Sequence, residues 1–340
     1  MPHLAQPLKF LMPGWYAITM GLCGLALAWH RAEALMGEAA GLIALLVGAL
    51  AALVFGLLAV ATVLRGVRHP QAWAEDRRHP VRHTFVATLP ASTILLATVA
   101  VAQFGPSQGA LWLWGAGALS QLWVTAWVLG RWWRGNGPAG LQWASVTPAL
   151  FIPIVGNVLV PLAGVPLGQP EWSAAQFGVG LMFWPVVMTL ILVRIATQGL
   201  WPERLLPAAF IFIAPPAVVG LSALQLGAPP LLGWALWGMA LFSLLWVATL
   251  ARRIGQLPFG MAHWGMSFPL AAMAALTLRL ATPGSPLAVL GPALLALASL
   301  VVLALLMGTA RGLRDGSLLA PEPVASIAPV AAGPASGPAR

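Results

Sequence analysis

Long apolar runs, interrupted by short clusters of charge, glycine or proline, repeat along almost the whole chain. They predict ten helices at roughly 15–30, 38–65, 84–104, 108–130, 144–163, 172–194, 205–226, 229–251, 262–281 and 284–309. Most are near the ~20 apolar residues a helix needs to cross a hydrocarbon layer. The first run reaches Trp29 without a separate charged segment and small-residue cleavage site, so it reads as a retained span. After the last run, the stretch APEPVASIAPVAAGPASGPAR has few charges and no helical period. The chain is therefore expected to form one helical domain over 1–313 and a disordered cytoplasmic tail over 314–340.

A second pattern lies inside the first. Proline recurs near mid-run in TLPAST (88–93), LFIPIVGN (150–157), FIAPPAVV (212–219) and MSFPLAAM (266–273), giving Pro90, Pro153, Pro215 and Pro269. These belong to the third, fifth, seventh and ninth helices, while the first carries Gly21 and Gly24 in MGLCGLAL. Among the return helices, Pro185 in FWPVV stands out. Proline removes a backbone donor and frees the carbonyl four residues back, here those of Val86, Ala149, Ile211 and Gly265. Bent helices at alternate positions can surround an axis while straighter partners form an outer wall, which is the geometry of a pore.

Composition makes the membrane reading firm. Of 340 residues, 60% are hydrophobic and 7% charged, far from the quarter charged that is usual in soluble domains. The net charge of +9 does not imply nucleic acid, because the basic residues are dispersed instead of lining one soluble face. With the amino terminus inside, 15 of the 17 Lys and Arg residues fall on the cytoplasmic side, leaving only Arg31 and Arg279 outside. That bias predicts a multi-pass protein of the cell inner (plasma) membrane with both termini cytoplasmic.

The chemistry of the runs is sparse. No Asp or Glu lies near the middle of a helix, so a carboxylate-coupled carrier has no evident coupling group. Five of the six histidines lie in or beside loops, and His263 lies near the inner end of the ninth helix. His79 and His83 have a spacing that suits a metal on a helix but no acidic or cysteine partner. No catalytic residue, metal or cofactor is expected, and the lone Cys23 reads as a packing residue. Candidates to line a pore are Gly21, Thr88, Ser92, Asn157, Ser222 and Ser267. Asn157 needs either a neighbouring helix or pore water to satisfy its amide.

The stretches TPALFIPIVGNVLVPLAG (147–164), FIFIAPPAVVGL (210–221) and WGMSFPLAAMA (264–274), with HPVRHTF (79–85), resemble the TehA tellurite-resistance and C4-dicarboxylate transporter family. That family includes the slow anion channels, malic acid transporters and sulfite exporters. The resemblance runs from about Lys9 to Leu313. It implies an all-α membrane protein of ten helices in five hairpins, with the odd-numbered helices lining one pore per subunit of a homotrimer. It also implies that Phe268 plugs the pore and that small inorganic or carboxylate anions cross it. Arg82 and Arg279 are the candidates for positive charge at its two mouths. Passive, channel-like passage is the leading expectation. The alternative is a proton-coupled carrier or exporter of C4-dicarboxylates, sulfite or tellurite-related oxyanions.

Overall fold

The computed structural model describes residues 7–135 and 140–320, and the part of the expected tail from 321 onward lies outside the described residues. Every regular element among the described residues is helical. In chain order the α-helices are α1 (Ala17–Met36), α2 (Glu38–Arg68), α3 (Pro70–Arg78), α4 (Thr88–Phe104), α5 (Gln108–Leu129), α6 (Phe151–Val158), α7 (Val160–Gly164), α8 (Pro170–Gln198), α9 (Ala214–Gln225), α10 (Pro230–Ala248), α11 (Ala251–Gly255), α12 (Ser267–Leu280) and α13 (Pro286–Arg314).

The recurrent prolines have a specific place in this order. A 3-10 segment passes directly into an α-helix at Arg82–Ala87 before α4, Pro148–Leu150 before α6, Glu203–Ile213 before α9 and Met261–Met266 before α12. Pro90, Pro153 and Pro269 are then the third residues of α4, α6 and α12, and Pro215 is the second residue of α9. The first α-turn has no need of the N–H that proline lacks, and the fixed φ of proline suits it. The tighter i→i+3 bonding upstream keeps the chain helical without that donor. The proline pattern predicts bent helices here, and the observed segments change helical type just before each proline. α1 starts in the same way, after the 3-10 turn Pro13–Tyr16. Prolines also lie inside α8 (Pro185) and α13 (Pro292), so Pro185 is not alone among the return helices.

Packing sorts the segments into two sets. α1 touches α4, α4 touches α6 and α7, these touch α9, α9 touches α12, and α12 returns to α1, closing a ring. Outside it, α2 lies on α1 and α4, α5 on α4 and α6, α8 on α6 and α9, α10 on α9 and α12, and α13 on α12 and α1. Among the described residues, six segments are long and apolar enough to cross a membrane: Glu38–Arg68, Arg82–Phe104, Pro170–Gln198, Glu203–Gln225, Pro230–Ala248 and Pro286–Arg314. Burial separates them: within the apolar 18-residue stretch of each, 67% and 89% are buried in the ring segments Arg82–Phe104 and Glu203–Gln225, against 22% in Glu38–Arg68 and 28% in the other three. On α2 the exposed face carries Leu46, Leu53, Leu57 and Val60, one apolar stripe at helical spacing. Such a surface is stable against hydrocarbon and unstable against water.

The short links gather at one end, and one is only Gly37, whose φ of 76° disfavours any residue with a Cβ. The arginine-rich links gather at the other. There Arg65 pairs with Asp76 at 2.7 Å and donates to the Lys9 carbonyl at 3.1 Å, while its guanidinium lies 5.5 Å from the Trp73 ring centroid. Arg65 and Asp76 are 2% and 1% exposed, so α3 is clasped to α2 by a buried ion pair.

Candidate functional site

A cavity of about 360 Å³ opens between the ring segments. All five segments of the ring contribute: Gly24, Leu27, His30 and Arg31 from α1, Leu95, Thr98 and Val101 from α4, Leu162 from α7, Val218, Leu221 and Gln225 from α9, and Phe268, Ala272 and Ala275 from α12. No residue of α2, α5, α8, α10 or α13 lines it. Phe268 and Gly24 mark one end, and Arg31, Pro106, Pro166 and Gln225, all beside the short links, mark the other. The seven residue steps from Gly24 to Arg31 give it a depth of about 10 Å at 1.5 Å per residue.

Phe268 is held closely. It is 8% exposed, and its Cδ2 lies 2.9 Å from where a Cβ on Gly24 would be. Glycine at 24 therefore lets the ring rest against the α1 backbone. One turn earlier, a Cβ on Gly21 would clash with the Ser267 Oγ, so α1 and the start of α12 are in close contact below the ring. The Trp264 indole, 1% exposed, fixes the same turn by donating to Thr309 Oγ1 at 2.9 Å.

The other sequence-derived candidates occupy different places. Thr88 donates to the Pro13 carbonyl at 2.7 Å, Ser92 to the Tyr16 carbonyl at 3.1 Å, Ser222 to the Val158 carbonyl at 2.5 Å and Ser267 to the Trp264 carbonyl at 2.7 Å. Three of these bonds tie one ring segment to the next. Asn157 is fully buried, donating to Thr125 Oγ1 at 2.8 Å and the Pro153 carbonyl at 3.0 Å and accepting from Gln176 at 3.0 Å. Its amide is thus satisfied by α5, α6 and α8. Gly21 and these five polar residues are absent from the cavity wall.

Arg82, at the arginine-rich end, lies 3.5 Å from Asp76, which offsets its charge. Arg279 ends α12 exposed, and its positive charge bears on Arg31. His263 serves local structure: the Gly260 N–H donates to its Nδ1 at 3.2 Å and its ring lies 5.4 Å from that of Phe259. The Val81 and Arg82 amides donate to His79 Nδ1 at 3.1 Å, and among the described residues no group of three or more His, Cys, Asp or Glu could hold a metal.

Residues 11–310 match the voltage-dependent anion channel family. The chain belongs to that family. It is similar to the tellurite resistance protein TehA homolog of Haemophilus influenzae, 25% identical over 268 residues that cover 78% of this chain and 79% of the relative. It is also similar to the S-type anion channel SLAH2 of Arabidopsis thaliana, 26% identical over 210 residues, 62% of this chain but 40% of the plant protein's own length. The plant S-type anion channel SLAH3 is 26% identical over 185 residues, 29% of its own length. This chain is a membrane protein of an anion-channel family, not of an enzyme family, and is helical throughout the regular elements of its described residues.

Of the residues lining the cavity, the sequence singles out Phe268, and among the others Gly24 and Arg31 matter most to its geometry. Gly24 was visible in MGLCGLAL, but only its contact with Phe268 gives it a role. Arg31 was visible as one of two arginines on the sparse side, but not as part of a cavity wall.

Proposed function

We propose that this protein carries small anions across the cell inner membrane through a central pore closed by Phe268. Ten spans in five hairpins, with both termini cytoplasmic, place the ring segments around that pore and the remaining helices against lipid. The observation that carries the reading is the cavity to which all five ring segments contribute and which ends on the Phe268 ring. A ring across a narrow apolar passage blocks an ion sterically and offers nothing to replace its water.

The wall has no carboxylate, and its polar members are Thr98, Gln225, His30 and Arg31. Passage is therefore passive and driven by the anion's own gradient and the membrane potential. The protein assembles as a homotrimer with one pore per subunit, and inorganic and carboxylate anions, including tellurite-related oxyanions, are the substrate class. In the resting protein Arg82 is drawn to Asp76, so positive charge at the arginine-rich mouth comes from the loop as a whole.

Proteoliposomes test the passive mechanism. Nitrate uptake should follow an imposed potential at equal pH on both sides and should never exceed electrochemical equilibrium. Uphill accumulation of nitrate, sulfite or malate driven by a pH gradient alone would establish the coupled-carrier reading instead.

A further inference from the structure

We infer that the Phe268 cavity is a binding site for an organic monocarboxylate, with the carboxylate on Arg31 at the mouth and the apolar body pointing toward Phe268. The inference rests on the proposed pathway for its location and adds a ligand class and the residues that select it.

Arg31 is half-buried in the cavity wall and pairs with no carboxylate among the described residues. The carboxylate nearest in sequence, Glu33, is engaged elsewhere: it lies 3.6 Å from His30 Nδ1 and against Gly41 of α2. The charge that does bear on Arg31 is the like charge of Arg279. A partly desolvated guanidinium with no carboxylate partner lacks the counter-charge such groups normally have. An anion at the mouth supplies it, and the planar two-oxygen face of a carboxylate matches the guanidinium fork. The Gln225 amide faces the same mouth.

Deeper in, the character changes. Between the mouth and Phe268 the wall is Leu27, Leu95, Leu162, Val218, Leu221 and Ala272, with Thr98 as its polar member. An aliphatic chain gains by entering this space. A second carboxylate on the same chain would lose its hydration there, because the Thr98 hydroxyl already donates to the Ile94 carbonyl at 2.8 Å. Length-matched mono- and dicarboxylates should therefore separate sharply, and nitrate, which has the head group without the body, should bind more weakly than the monocarboxylate.

Thermal unfolding of the full-length protein in detergent, titrated with sodium butyrate, sodium succinate or sodium nitrate at constant ionic strength, tests this. Butyrate should raise Tm with a midpoint at least tenfold below those of succinate and nitrate. Arg31→Gln should weaken the butyrate midpoint at least tenfold, and Arg31→Lys less. If Arg31→Gln does not fold, Arg279→Gln, on an exposed side chain, should still weaken it several-fold. Absence of a butyrate effect on the wild type, equal midpoints for butyrate and succinate or nitrate, or an unchanged midpoint in both arginine variants would each overturn the inference. Binding is read here without transport, so butyrate binding in a protein that carries no current would remove the pathway reading alone. Current without butyrate binding would remove this inference alone.

Discussion

Phe268 and Gly24 act as a pair, because the space a Cβ would need at 24 is the space the ring fills. Shortening the ring opens that space, and a branched side chain on α1 refills it. The Phe268→Ala, Gly24→Val double variant should therefore conduct anions at least several-fold less than Phe268→Ala alone, measured as macroscopic current per protein. Equal currents would mean that the ring is not seated where the Gly24 contact puts it. Half of this pair was legible beforehand. Phe268 stood out because it directly precedes a recurrent proline and because of the family resemblance. Gly24 could not be paired with it, since nothing in a sequence says which turn of α1 faces which turn of α12.

Among the elements, the buried polar groups hold segments together. The Pro153 carbonyl accepts from Gln121 at 2.9 Å, Thr125 at 2.5 Å and Asn157 at 3.0 Å, joining α5 to α6, while Gln176 of α8 closes the network on Asn157. Hydrogen bonds between membrane helices contribute little each, so Asn157→Ala should cost roughly 1–3 kcal/mol, seen as a lower Tm in detergent. Because Asn157 is absent from the cavity wall, the same change should leave the conductance of a Phe268→Ala channel within about twofold. The sequence left Asn157 open between helix packing and pore water, since both satisfy an amide and only the facing helix decides. At the arginine-rich end, Asp76→Asn would leave Arg65 buried without its counter-charge and should cost about 3–5 kcal/mol. Glu203→Gln, which breaks an exposed pair with Arg253, should cost under about 1 kcal/mol. Comparable losses for the two variants would contradict the clasp.

For the molecule as a whole, the runs predicted from hydropathy fall on the observed helical segments, because a lipid-facing and a core helix are both apolar. What hydropathy could not distinguish is which is which. α2 and α9 read alike in sequence, yet one is mostly exposed and the other almost wholly buried. The proline register separated them, since the recurrent prolines mark ring segments. That register pointed to bends, whereas the structure places each proline just inside an α-helix that follows a 3-10 segment, a distinction of hydrogen-bond type that composition does not carry. Between the predicted helices at 38–65 and 84–104, where the apolar pattern gives no helix, the structure has α3.

In the proposed function, one aromatic ring closes a pathway built by the five ring segments. Current recordings from the full-length protein in planar bilayers, with symmetrical nitrate and no pH gradient, test it most directly. Phe268→Ala should raise anion conductance at least tenfold over the wild type with reversal potentials that follow the nitrate gradient, while Phe268→Tyr stays nearly closed. Equal conductance of Phe268→Ala and the wild type, in protein of unchanged thermal stability, would contradict the account.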